Sequence, residues 1–171
     1  MEAIKQTFAK CKAQKRAALV AYITAGYPTV EEAVDILLGL ENGGAGKSFI
    51  SQVKVAQGTI FTDIRSHIAD IIELGIPFTD PIADGPTIQT ANTKALENGV
   101  TLTTVLELVR TARSRGLQTP LMLMGYFNPV LKYGEERMLR DCKEAGVNGF
   151  IMVDLPPEEA VRFRDLCSSA G

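Results

Sequence analysis

The chain has 171 residues, 46% hydrophobic and 22% charged, with a formal net charge of −2. That is enough for one domain with a core of its own, and the balanced charge offers no basic patch, so nucleic acid is not an expected partner. The Met1–Gln6 start has no apolar stretch of signal-peptide length and no segment is long enough to span a membrane, so a cytoplasmic location is expected. Cys11, Cys142 and Cys167 are widely spaced and read as reduced thiols, the last two on apolar helix faces. With His67 the sole histidine, neither metal binding nor Cys/His catalysis is expected.

In chain order, Met1–Gln14 reads as a leading helix and Ala18–Ile23 as a short apolar strand closed by Gly26 and Pro28. Thr29 caps a helix in which Val30, Ala33, Val34 and Leu37 recur at helical spacing, ended by Gly43 and Gly44. Asp70–Leu74 is the second strand. A helix from about Thr87 to Glu97 stops at Asn98-Gly99, and another from Thr103 to Arg115 buries Val105, Leu108, Val109 and Ala112. Pro120–Met124 is the third strand, Gly134–Ala145 a helix ended by Gly146, and Gly149–Val153 the fourth strand. Pro156-Pro157-Glu158-Glu159 then starts a last helix, with proline and acids in its first turn.

Apolar strands, each followed by a helix, specify a parallel sheet covered on its outer side. A doubly wound sheet and a (β/α)-barrel both fit. A dinucleotide-binding sheet should carry Gly-x-Gly-x-x-Gly after its first strand, where this chain has Thr24-Ala25-Gly26-Tyr27-Pro28. Polar residues gather instead just after the strands, at Thr24, Glu73, Asn128 and Asp154, which is where barrel enzymes keep their chemistry. The expected fold class is α/β, of the (β/α)8 TIM-barrel family, with only the first four β/α units present.

Residues 71–89 carry the chemistry. Ile71, Ile72 and Leu74 surround Glu73, and Gly75 ends the run; a loop with three prolines then brings Asp84 to the start of a helix. Glu73 closes a buried strand, where desolvation among β-branched neighbours raises a carboxyl pKa towards the range useful for proton transfer. The two carboxylates form either an acid/base pair or, more simply, a strand-end glutamate paired with a lysine and an aspartate that orders a turn.

Four segments resemble the tryptophan synthase α chain: Leu19–Pro28, Glu73–Gln89, Gly125-Tyr-Phe-Asn-Pro129 and Val153-Asp-Leu-Pro156. The flavour is that of the fungal form, in which α and β parts share one polypeptide. The resemblance implies a lyase of tryptophan biosynthesis that cleaves indole-3-glycerol phosphate to indole and glyceraldehyde 3-phosphate by a retro-aldol reaction. It places the catalytic acid/base on Glu73 and the second carboxylate on Asp84, and Tyr22, Ile88, Met124 and Tyr126 match positions lining the indole pocket. Asp80, Pro81 and Asn128 resemble residues at the contact with a β chain or fused β domain. No cofactor is implied in this segment, pyridoxal phosphate belonging to the β part.

Two features depart from the family pattern. In phosphate-binding barrels the phosphate sits on loops after strands seven and eight, and this chain ends after the fourth unit. A poor catalyst is therefore expected of it alone, with a non-catalytic half-barrel or partner-binding fragment as the alternative. Open edges at strands one and four would favour aggregation or loose dimers. The second departure is residues 46–69, too long for a helix-to-strand loop. Gly46-Lys47-Ser48 imitates the end of a P-loop, but the Walker pattern fails at Glu41. Removing the segment leaves a normal junction, Ala45-Asp70. Gly46-Lys47 is encodable as GGTAAG and Ala69-Asp70 as GCAGAC, which contain a splice donor and acceptor, so the segment reads as a translated, retained intron or else a true insertion.

Overall fold

The computed structural model describes residues 2–42 and 69–170. Residues 43–68, and with them nearly all of the 46–69 segment, the Gly43-Gly44 helix stop and His67, lie outside the described residues. The described strands are β1 (Val20–Thr24), β2 (Ile71–Gly75), β3 (Leu121–Gly125) and β4 (Gly149–Met152). They form a parallel sheet in the order β1-β2-β3-β4. The helices are α1 (Glu2–Ala13), α2 (Val30–Asn42), α3 (Pro86–Glu97), α4 (Leu102–Ser114), α5 (Phe127–Tyr133), α6 (Glu135–Ala145) and α7 (Val161–Ala170).

The register sorts the strand residues into two faces. Ile72 pairs with Leu121, and Ile23, Leu74, Leu123 and Phe150 form the next row of the same parity. Ile72, Leu74, Leu121 and Leu123 are fully buried in one cluster with Leu37 of α2, Val105 and Val109 of α4, Met138 and Cys142 of α6 and Phe163 of α7. This outer face is the core. The other parity puts Tyr22, Glu73, Met122 and Gly149 in one row, with Thr24, Gly75, Met124 and Ile151 above it. Tyr22, Glu73, Met122 and Met124 are only half-buried. At this inner face a Cβ on Gly149 would lie 3.5 Å from Ile4 of α1, so the leading helix rests against it.

Two helices differ by more than one residue from the sequence reading. The Phe127–Tyr133 helix goes unrecognised because Asn128-Pro129 looks like a turn, yet proline is tolerated in a first turn, where its missing N–H has no intrahelical partner. The last helix starts at Val161, not at Pro156: residues 157–160 form a separate turn in which Glu159 and Ala160 both donate to the Pro156 carbonyl. Pro86, read as part of the loop, is the first residue of α3.

The N-terminal end of the sheet is pinned by charge. Asp70 accepts both terminal nitrogens of Arg16, at 2.6 and 2.7 Å, and the Leu19 amide at 2.8 Å. These bonds hold its carboxyl at about 2, below the ordinary 3.8. Because the folded value is the depressed one, this stabilisation is present above the ordinary carboxylate range and is lost as pH falls from there towards 2. Asp70→Ala should therefore lower the urea unfolding free energy of the full chain by about 1–3 kcal/mol at neutral pH. The gap to the parent should narrow between pH 4 and 2. An unchanged gap at pH 2 would show that the Arg16 contact is not the source.

Candidate active site

Glu73 sits at the centre of β2, not at its end, since the strand continues through Leu74 and Gly75. Its cross-strand neighbours on the inner face are Tyr22 and Met122, not β-branched residues. Burial against them raises its carboxyl above the usual glutamate value, desolvation being the cause. Among the described residues no lysine or arginine pairs with it, so the lysine partner of the simpler reading is not seen there.

Tyr22 stands opposite Glu73 in the register. Burial pushes its phenol up, and the charges of Asp84 and Glu73 push it further, so one hydroxyl lies within reach of both acids' fields. It is hydrogen-bonded to Thr24 Oγ1 at 3.3 Å. Gly75 makes this possible: a Cβ there would stand 2.2 Å from the Tyr22 oxygen. Gly26, in the turn after β1, is equally constrained, with φ +73° and a Cβ that would meet Val100 at 2.3 Å.

Asp84 is held by the loop that follows β2. Its amide donates to the Pro81 carbonyl at 3.1 Å, and the Gln89 side chain donates to the Asp84 carbonyl at 2.9 Å. Tyr126, at the end of β3 and 3% exposed, accepts the Ala83 amide at 2.9 Å and donates to Asp84 Oδ2 at 3.3 Å. Its ring stacks on Phe78 with centroids 5.1 Å apart. Tyr126 thus clamps the loop from inside the sheet.

Met124 lies on the inner face between Gly75 and Ile151. Ile88, half-buried in the first turn of α3, is four residues before Asn92 and shares its helix face. Asn92 was not anticipated; its amide donates to Asp84 Oδ2 at 3.4 Å, and a lone asparagine within a helix carries no sequence signal for this. Asp80 and Asn128 are exposed and Pro81 half-buried. Asp154 accepts the Phe127 amide at 2.7 Å and so caps α5. A groove along α7, lined by Glu158, Arg162, Asp165 and Ser169 among others, contains none of these residues. No described helix is long and apolar enough to cross a membrane.

The parallel sheet with its outer helices, and two carboxylates brought to the inner face and C-terminal rim, define a protein of the (β/α)-barrel class. The family model described as "Tryptophan synthase alpha chain" matches residues 8–48 and 53–171, a span that includes much of the 46–69 segment. Tryptophan synthase of Saccharomyces cerevisiae is 51% identical over 170 residues, covering 99% of this chain and 21% of that protein. The solved tryptophan synthase subunit alpha of Legionella pneumophila superposes with a TM-score of 0.82 at 37% identity, covering 99% of this chain and 55% of that one. The tryptophan synthase complex of Pyrococcus furiosus gives 0.73 at 34% identity, covering 91% and 54%. This chain belongs to the tryptophan synthase alpha chain family, and spans about half the length of the solved chains it matches.

Tyr126→Phe keeps the Phe78 stack and removes the hydroxyl. It should cost about 0.5–1.5 kcal/mol, the net worth of one hydrogen bond, since the Ala83 amide loses its acceptor. Hydrogen exchange of that amide should accelerate selectively; equal protection in both proteins would assign the loop's order to its prolines.

Proposed function

We propose that this chain forms the N-terminal part of a domain that cleaves indole-3-glycerol phosphate to indole and glyceraldehyde 3-phosphate. The observation that carries the reading is the inward-facing Glu73 of raised pKa, opposite Tyr22 in the register, with a second carboxylate, Asp84, held by Tyr126 in the loop that follows the same strand. The cleavage needs a proton delivered to indole C3 and a proton removed from the side-chain hydroxyl. As the acid, Glu73 gives its proton to C3; as the resulting carboxylate, it takes the hydroxyl proton while the bond to C3 breaks. The electron pair of that bond returns to the indole ring, and the carbinol carbon becomes the aldehyde. The glutamate ends as it began.

Protonation at C3 leaves positive charge on the indole nitrogen. Asp84 accepts the ring N–H and is a fixed anion beside it, so it favours the transition state over the ground state. Tyr22, Ile88, Met124 and Tyr126 supply the walls of the indole pocket. Asp80, Pro81 and Asn128 form the contact with a β chain or fused β domain. That they are exposed or half-exposed on one rim is in keeping with this.

In the full chain, as its transcript encodes it, Glu73→Gln should abolish indole release with the fold intact, the loss being at least 10²–10⁴-fold, roughly the worth of one general acid–base group. Asp84→Asn should retain a residual rate, because an amide oxygen still accepts the N–H but carries no charge; the loss is about 1.5–3 kcal/mol of activation free energy. More than a tenth of the parent activity in Glu73→Gln would remove Glu73 from the acid/base role.

For residues 46–69 we favour a translated retained intron. Ala69, the last residue of the segment, donates its amide to the Leu40 carbonyl at 3.0 Å, so the segment's end returns to the helix that precedes it and a short junction there is in keeping with the reading. Transcript sequencing decides the matter: a message joining codon 45 to an intact Asp70 codon is expected, and uniform retention would make the segment a true insertion.

A further inference from the structure

Both side-chain donors that reach the Asp84 carboxylate converge on the same oxygen. The Tyr126 hydroxyl and the Asn92 amide each donate to Oδ2, at 3.3 and 3.4 Å, while among the described residues Oδ1 accepts nothing. Two fixed donors on one oxygen set the plane of a carboxylate and leave its other oxygen to face an incoming group. Asn92 pays for its place in this arrangement. It is 3% exposed within α3, and its own Oδ1 has no hydrogen-bond partner among the described residues. A buried carbonyl oxygen without a donor is destabilising, and a leucine of the same shape would avoid the penalty. An asparagine kept at such a position is explained by what its other end does.

We propose that Asn92 is a positioning residue: with Tyr126 it turns Asp84 so that the free Oδ1 faces the N–H of the indole ring. The inference rests on the reading of Asp84 given above, and deepens it. Asn92 touches no reacting atom; it acts through Asp84.

The test compares binding of indole and N-methylindole to the full chain by calorimetry. The two ligands fill nearly the same apolar volume, and the second has no N–H to offer. The parent should prefer indole roughly tenfold, the worth of one hydrogen bond to a charged group. Asn92→Leu should bring that preference close to the level of Asp84→Asn while its melting temperature stays equal to the parent's or rises. A structural asparagine would do the reverse, lowering the melting temperature and leaving the preference alone. Asn92→Asp keeps the volume and removes the donor, and should lose the preference as well; it serves if the leucine variant fails to fold. A folded Asn92 variant with the parent's preference overturns the proposal. Asp84→Asn binding both ligands like the parent overturns the reading of Asp84 itself, a result separable from the first.

Discussion

The parallel register of β1, β2 and β3 is the constraint from which the site follows. Tyr22, Glu73 and Met122 stand opposite one another, while Ile72 and Leu74, on either side of Glu73, point to the helix layer and are fully shielded. A strand has a period of two, so a slip of one residue would place the glutamate under α2 and α4 and turn two buried apolar side chains inward. The burial of Ile72, Leu74, Leu121 and Leu123 stabilises by about 1.5–3 kcal/mol each. The hydrophobic energy of the outer face therefore holds the acid on the inner one. Packing and chemistry are set by the same hydrogen-bond ladder, on opposite sides of it.

Much of this was legible in the residues. Apolar runs flanked by glycines mark every strand to within a residue or two, and Thr24, Asn128 and Asp154 near strand ends pointed to the barrel-type rim, whereas Glu73 lies one turn of the pleat deeper, at the centre of its strand. Glu73 stood out because a carboxylate in an apolar run has few structural uses. Other features depended on tertiary contact. The α5 helix was hidden because a proline that breaks a helix interior is harmless in its first turn. Asp154, read as one of the rim residues, caps that helix from across the sheet, a contact 27 residues away in sequence. The neighbours that desolvate Glu73 come from other strands, and no local window contains them. Asn92 is the clearest case: its sequence setting is ordinary, and its importance lies in an oxygen left without a partner.

The two ends of the sheet are ordered by different means. At the N-terminal end, Asp70 accepts on both carboxylate oxygens, from Arg16 and the Leu19 amide. Arg113 works in a similar way at the junction of α4 with β3 and β4, donating to the carbonyls of Leu117, Thr119 and Gly146 and to the Asn148 side chain. At the C-terminal end the polar groups are less fully satisfied. Among the described residues Glu73 has no ionic partner, and the Asp84 carboxylate is bonded through one oxygen only. Unsaturated groups held by saturated neighbours are what a binding site requires.

The Leu40–Ala69 hydrogen bond carries a consequence for how this gene can change. It fastens together two points of the backbone that lie 29 residues apart in the chain. Closing a flexible loop costs free energy only as the logarithm of its length, about 0.6 kcal/mol for each doubling. Residues added there leave the registers of β1 and β2 untouched, because both strands are fixed outside the closure. The junction is thus a place where coding sequence can be gained or lost at little thermodynamic cost. Selection there acts on what the added residues expose, more than on how many there are.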